Sequence, residues 1–277
     1  MENQLLSEVL ANKLPALYFK LCSFLNTDAP KWKHLTKLNL SKFRNYLLNE
    51  LSPGSAKTYC ANLISVLNLY KDEVIIPCRD FAKVLSVKAQ KSTNVFLTVE
   101  ELERLKNYSP QTKTQSDILD RFLLQSWTGC RFSDMMQLTK ENISEMDGKK
   151  YLSYTSEKTK ITAVLRCSPM VANIIERLPE IKIYSHQTYN NVVRFICEYC
   201  EINIPVKLYQ AGEIVTGEKW KFISSHTARR SFATNLYIKG IDILSISKMM
   251  GHTNTKQTEG YICAPITENK ALDDFFS

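Results

Sequence analysis

The chain has 277 residues, a length that suits two domains, and its 44% hydrophobic, 23% charged and 10% aromatic content excludes fibrous and disordered classes. Lys and Arg number 36 against 28 Asp and Glu, a formal net charge of +8 that points mildly to a polyanionic partner. No run of about 18 apolar residues offers a membrane span. At the N-terminus Glu2, Glu8, Lys13 and Lys20 interrupt the apolar pattern, so no secretory signal is expected and the chain reads as cytoplasmic. Its eight cysteines (Cys22, Cys60, Cys78, Cys130, Cys167, Cys197, Cys200 and Cys263) then read as reduced, mostly buried thiols. Cys197 and Cys200 form the only C-x-x-C; with no second ligand pair in the sequence they read as packing residues, not a zinc site.

Residues 1–95 carry 13 basic and 7 acidic side chains, whereas 96–277 carry 23 and 21, so most of the excess charge sits in the first third. That third reads as helical. Apolar periodicity runs over 4–25, broken at Pro15. Ser41 reads as the cap of a helix to Leu51 with Phe43, Tyr46 and Leu47 on one side. After a Ser52-Pro53-Gly54 turn, Ser55 opens a helix to about Tyr70, with Tyr59, Leu63, Val66 and Leu67 as its apolar stripe and Lys57, Thr58 and Asn62 elsewhere. The polar stretch 86–94 reads as a linker, and Thr98-Val99-Glu100-Glu101 as a capping box opening a second domain. The resulting division is a helical domain over 1–88, a linker over 89–96 and a second domain over 97–277, with a tail from about 266.

The second domain reads as mixed. A helix covers 118–127, and a hairpin joins strands at 151–155 and 162–167. Helices follow at 169–178 and 187–201, then an extended region over 207–223 with turns at Gly212 and Gly217. Helices return at 226–238 and 241–250. The fold class is therefore mainly α with a small β-sheet, α+β.

Three places gather cations or hydrogen-bonding groups beside a turn. In Thr128-Gly129-Cys130-Arg131-Phe132-Ser133-Asp134, Gly129 supplies a tight turn and sets Arg131 at a helix N-terminus, where an anion is favoured. Asp134, three residues on, shares its face. In Ser225-His226-Thr227-Ala228-Arg229-Arg230 a helix capped by Ser225 pairs an imidazole with a guanidinium at i+3 or i+4, so periodicity leaves Arg229 and Arg230 open. The third place is Gly251-His252, followed by Tyr261. Taken singly, each has an ordinary structural reading: a surface ion pair, a helix start, a helix end and a packed ring.

In this order, however, the set resembles the tyrosine recombinase (phage integrase) family, whose pattern is an Arg in a T-G-x-R turn followed by an acid, a hairpin Lys, an H-x-x-R box, a G-H pair and a Tyr nine residues beyond it. Arg131, His226, Arg229, His252 and Tyr261 match residue by residue, and the resemblance selects Arg229 over Arg230. The hairpin offers Lys158 and Lys160, which strand alternation places on one face; the family's K-T-x pattern fits Lys158. The resemblance covers about 96–265 and extends to 1–90, where the family has a SAM-like helical core-binding domain.

What the resemblance implies is a metal- and ATP-independent DNA strand transferase working through a covalent 3′-phosphotyrosine. Tyr261 is then the nucleophile, His226 its base, Lys158 the acid on the departing 5′ oxygen, Arg131 and Arg229 the phosphate clamp, His252 a hydrogen-bond donor to the phosphate and Asp134 the support of Arg131. The partner is double-stranded DNA, gripped by a clamp of the two domains, with the protein tetrameric on paired sites, monomeric when free and open to accessory DNA-bending factors. Lys57, Thr58 and Asn62 are the expected groove contacts, and Lys83, Lys88 and Lys91 the backbone contacts. In the tail, Leu272, Phe275 and Phe276 are expected to pack on a neighbouring protomer in the synapse, or in cis in a free monomer. Little of this sequence precedes the helical domain, so a recombinase without an additional arm-binding module is expected. The reading stands against a type IB-like topoisomerase acting without synapsis and against an inactive DNA-binding homologue.

Overall fold

A computed structural model describes residues 5–88 and 92–271. Lys91 and the tail residues Leu272, Phe275 and Phe276 lie outside the described residues. Backbone packing divides the chain into two units, Met1–Ser92 with Leu208–Val215, and Thr93–Lys207 with Thr216–Ser277.

The first unit is built from α1 (Leu6–Lys13), α2 (Pro15–Leu25), α3 (Lys37–Glu50), α4 (Pro53–Tyr70) and the single turn α5 (Phe81–Val84). Leu6, Leu10, Leu17, Leu21, Leu40, Phe43, Leu47, Leu63 and Leu67 are buried in one core. Each such side chain contributes about 1.5–3 kcal/mol by leaving water. Two helix starts differ from the sequence reading. Ser41 lies inside α3, because Thr36 already caps that helix by accepting from Asn39 N at 3.2 Å. Ser55 lies in the first turn of α4, because Ser52 accepts from its N–H at 3.3 Å and Pro53 fills the first helical position, where a missing N–H is harmless.

The second unit contains α6 (Val99–Lys106), α7 (Lys113–Thr128), α8 (Phe132–Met135), β1 (Ile143–Met146), β2 (Lys149–Thr155), β3 (Thr162–Arg166), α9 (Pro169–Arg177), α10 (His186–Tyr199), α11 (Ser225–Ile238), α12 (Ile243–Met249) and α13 (Thr255–Glu259). Strands β4 (Pro205–Gln210) and β5 (Glu213–Glu218) form a separate hairpin. Helix α7 is buried on most of its surface and packs against α6, α9, α10 and α11. The expected capping box is present: Thr98 Oγ1 accepts from Glu101 N at 3.2 Å and Glu101 Oε2 from Thr98 N at 2.8 Å. Strands β1, β2 and β3 form an antiparallel sheet in that order. The register pairs Leu152 with Leu165 and Tyr154 with Ala163, so one face is buried while Val164 points to solvent.

Three local readings change. The first strand, Ile143–Met146, carries too little alternation to be legible, since only Ile143 escapes full exposure. Gly217 lies within β5 and not in a turn; its bare Cα lets the Phe222 ring approach, and a Cβ there would sit 3.2 Å from it. Lys158 and Lys160 lie in the turn between β2 and β3, where Lys160 adopts a left-handed φ of 58°. Strand alternation therefore does not govern their faces.

Candidate active site

Two glycine turns deliver the site. Helix α7 ends at Gly129 in the left-handed region, φ 64°, and a Cβ there would collide with the Phe232 ring, so only glycine fits. The chain then reaches Arg131, the N-cap of α8. Helix α12 ends in a Schellman motif: Gly251, φ 61°, donates to Lys248 O at 3.1 Å, and His252 N donates to Ser247 O at 3.0 Å. That closure directs His252 inward, where it is 6% exposed.

Arg131 Nη1 donates to Ser156 Oγ at 2.6 Å and lies 3.7 Å from Asp134 Oδ2. Asp134 Oδ1 in turn accepts from Glu157 N at 3.0 Å. One carboxylate thus supports the arginine and anchors the β2–β3 turn. Thr159 Oγ1 donates to Gly251 O at 2.8 Å and ties the other side of that turn to the Gly-His segment. Lys158 sits exposed between these two anchors.

Arg229, on α11, is 1% exposed. Its Nη1 donates to Gly129 O, and its Nη2 donates to Met250 O at 2.8 Å and to His252 Nε2 at 2.6 Å. His252 Nδ1 meets Thr258 Oγ1 at 2.8 Å. The Tyr261 ring lies over this group, its centroid 5.2 Å from the Arg229 guanidinium carbon and 5.4 Å from the His252 ring. Thr234 Oγ1, which donates to Tyr261 O at 3.3 Å and accepts from Cys263 N at 3.1 Å, holds the Tyr261 segment against α11.

The electrostatics are unusual for a protein interior. Among the described residues no carboxylate pairs with Arg229, whereas buried charges are ordinarily paired. Arg131 adds a second positive charge close enough to act on both Arg229 and His252. Burial, then the charges of Arg229 and Arg131, lower the His252 pKa to about 3, so its imidazole is neutral. The phenol of Tyr154 is buried in the same neighbourhood without a hydrogen-bond partner among the described residues, and burial raises its pKa. Two guanidiniums with a single supporting carboxylate, Asp134, leave an excess of positive charge that suits an anion.

His226 lies in the first turn of α11 with its ring open to solvent. Loss of hydration on its inner side, then the charges of Arg230, His186 and Arg229, hold it below the usual imidazole range. The helix cap is Ser224 rather than the expected Ser225: Ser224 N donates to Thr227 Oγ1 at 3.0 Å. Ser225 is instead gripped from α10, its hydroxyl 2.8 Å from His186 Nε2 and its N–H donating to Asn190 Oδ1 at 3.0 Å. His186 also packs edge-on against Phe132, the neighbour of Arg131.

A sequence profile of the phage integrase family matches residues 95–265. The chain belongs to the phage integrase family. These are the tyrosine recombinases, enzymes of site-specific DNA strand transfer and recombination. A tyrosine recombinase XerC from Pelotomaculum thermopropionicum is 27% identical over 234 residues, covering 79% of this chain and 74% of that protein. The XerH site-specific recombinase, solved in a post-cleavage complex with palindromic difH substrate, shares the fold at 14% identity with a TM-score of 0.65, over 97% of this chain and 79% of that one. The Tn1549 transposon integrase in complex with transposon right end DNA does so at 14% identity and 0.66, over 99% and 95%.

Within this recombinase the structure gathers Arg131, Asp134, Arg229, His252 and Tyr261 around one buried cluster, with His226 and Lys158 at its exposed margin. Of the expected DNA contacts, Lys57, Thr58, Lys83 and Lys88 are exposed and Asn62 is half-buried. Sequence reasoning missed Ser156, Thr258, His186 and Asn190. Thr258 stands three residues before Tyr261 and Ser156 two before Lys158, yet a lone hydroxyl gives no signal of its own until the tertiary fold closes on it.

Proposed function

We propose that this recombinase cuts and rejoins DNA through a 3′-phosphotyrosine formed on Tyr261. The observation that carries the reading is the buried Arg229 guanidinium, without a carboxylate partner among the described residues and lying against the Tyr261 ring. A phosphodiester supplies the missing anion, and planar forks of N–H donors suit its non-bridging oxygens. As the Tyr261 oxygen attacks phosphorus in line, the P–O bond to the 5′ oxygen breaks. Arg131 and Arg229 stabilise the charge that develops in the transition state. His226 accepts the proton that the phenol gives up as its oxygen attacks. Lys158 gives a proton to the departing 5′ oxygen. The new phosphodiester to Tyr261 retains the bond energy, so a 5′ hydroxyl from another strand reverses the step without ATP.

The exposed side chains of the basic first unit, Lys57, Thr58, Lys83 and Lys88, supply affinity for double-stranded DNA in the cytoplasm, with Asn62 beside them. Four protomers act on paired sites, and DNA-bending factors assist the reaction. Phosphate contacts make affinity fall steeply with salt. The outcome is integration and excision or inversion, according to the arrangement of the two sites. A nicked suicide substrate cut from the DNA flanking the gene tests the reading. Covalent complex is expected to accumulate equally in EDTA and in magnesium without ATP. No complex under either condition refutes it; plasmid relaxation by single sites without recombination makes the protein a topoisomerase.

The acid side of the rate profile follows from His226. A lowered pKa keeps the imidazole neutral, and able to accept a proton, at pH values where an ordinary histidine of about 6.5 is half protonated. Cleavage is therefore expected to stay flat from pH 8 to about 6.5 and to fall only below it, in single-turnover assays. An acid limb centred above pH 7 contradicts this assignment.

A further inference from the structure

We propose that a polar stripe on α10, made of His186, Asn190 and Arg194, positions the base for strand transfer: it clamps the segment Ile223–Ser225 and so fixes where the His226 imidazole stands. The inference rests on the reading of His226 as the base for Tyr261. None of the three residues belongs to the set that the family resemblance supplies.

His226 needs support from outside its own side chain. Its ring is exposed, and among the described residues no hydrogen bond orients it, so its place is set by the backbone that carries it. That backbone is the first turn of α11, where N–H groups have no partner within the helix. Helix α10 provides the partners. Residues at i, i+4 and i+8 stand one above another on a helix face, and His186, Asn190 and Arg194 have that spacing. Asn190 Oδ1 accepts from Ser225 N at 3.0 Å, His186 Nε2 lies 2.8 Å from Ser225 Oγ, and Arg194 Nε donates to Ile223 O at 2.9 Å.

The donors and acceptors of this cluster admit one arrangement. The Ser225 N–H takes the Asn190 oxygen, which leaves Asn190 Nδ2 facing His186 Nδ1 at 3.3 Å. An amide nitrogen only donates, so Nδ1 accepts. The neutral ring then carries its hydrogen on Nε2 and gives it to Ser225 Oγ. Each member orients the next. The same helix is seated against the other half of the site: Phe132, the neighbour of Arg131, meets the His186 and Tyr189 rings edge-on at centroid distances of 5.7 Å and 5.2 Å. One face of α10 thus holds the neighbour of the phosphate-binding Arg131 and the neighbour of the base.

Single-turnover cleavage of a saturating nicked substrate by the full-length protein, in two backgrounds, tests the proposal. His186→Ala and Asn190→Ala are each expected to slow cleavage at least about 10-fold with DNA affinity within about twofold, because a base is effective only in place. In a His226→Ala background the same substitutions are expected to change the rate by less than about twofold, since the group they position is gone. Equal losses in both backgrounds overturn the proposal, as does an unchanged rate for both single variants. If an α10 variant does not fold, Ser225→Ala, which removes one hydroxyl, takes its place in both backgrounds. Hydrogen exchange tests the clamp without DNA: the Ser225 amide is expected to exchange at least about 10-fold more slowly than an unstructured amide, and an unprotected one overturns the proposal. A His226→Ala variant that cleaves at the unsubstituted rate refutes the base reading instead.

Discussion

Tyr261→Phe is expected to bind its DNA site with affinity within about twofold of the unsubstituted protein and to form no covalent complex, a loss of at least about 10⁴-fold in cleavage. The substitution removes one oxygen and keeps the ring. The contacts that seat the residue, 5.2 Å to the Arg229 guanidinium carbon and 5.4 Å to the His252 ring, belong to the ring and survive. The backbone bonds from Thr234 and to Thr258 survive as well. Stability is expected to change by less than about 0.5 kcal/mol in urea unfolding. A phenylalanine variant that still forms adduct would assign the nucleophile elsewhere, and one that loses DNA affinity with its adduct would give Tyr261 a binding role instead.

Arg229→Lys carries the second large effect. Lysine keeps a positive charge but presents it as a compact ammonium, without the planar fork that now reaches Gly129 O, Met250 O and His252 Nε2 together. At a position 1% exposed no water fills the gap, so an acceptor is left unmet and the charge no longer lies in the plane under Tyr261. Single-turnover cleavage is expected to fall by about 10²–10³-fold, the usual loss for one transition-state donor. Unmet buried acceptors are expected to cost about 1–3 kcal/mol of folding stability in the same urea series. Cleavage within about threefold of the unsubstituted rate would mean that charge alone suffices and that the fork geometry is irrelevant.

These two residues also mark how far the sequence carries. Helical spacing alone cannot separate Arg229 from Arg230, because i+3 and i+4 both neighbour His226. The resemblance selected Arg229, and in the structure Arg229 is the arginine that meets His252 and the two turn carbonyls. Local signals with their own chemistry, such as the Thr98 capping box and the two glycine turns, were legible because backbone hydrogen bonding dictates them within a few residues. Helix starts were misread where two hydroxyls competed. Ser41 and Ser55 both satisfy the capping pattern, but Thr36 and Ser52 reach the free N–H groups first.

The supporting residues were illegible for a different reason. Ser156, His186 and Asn190 act through contacts with residues far along the chain, as when Ser225 receives His186 and Asn190 from another helix, and Thr258 meets His252 only across the turn at Gly251. No periodicity encodes such a meeting; only the closure of α10 on α11, and of the β2–β3 turn on the Gly-His segment, creates it. The burial of Arg229 without a carboxylate among the described residues belongs to the same class. A sequence shows an arginine beside a histidine, whereas the anion site exists because α7, α11 and α12 enclose that arginine together.

The most direct test of the central claim is the identity of the DNA–protein bond. The covalent complex from a nicked suicide substrate is digested with trypsin, and the peptide carrying residual nucleotide is sequenced by tandem mass spectrometry, while the freed DNA end is probed with polynucleotide kinase. The expected result is a 3′-phosphate ester on Tyr261 and a free 5′ hydroxyl that accepts label directly. A 5′-linked adduct, or a 3′ adduct on any residue other than Tyr261, would contradict the account.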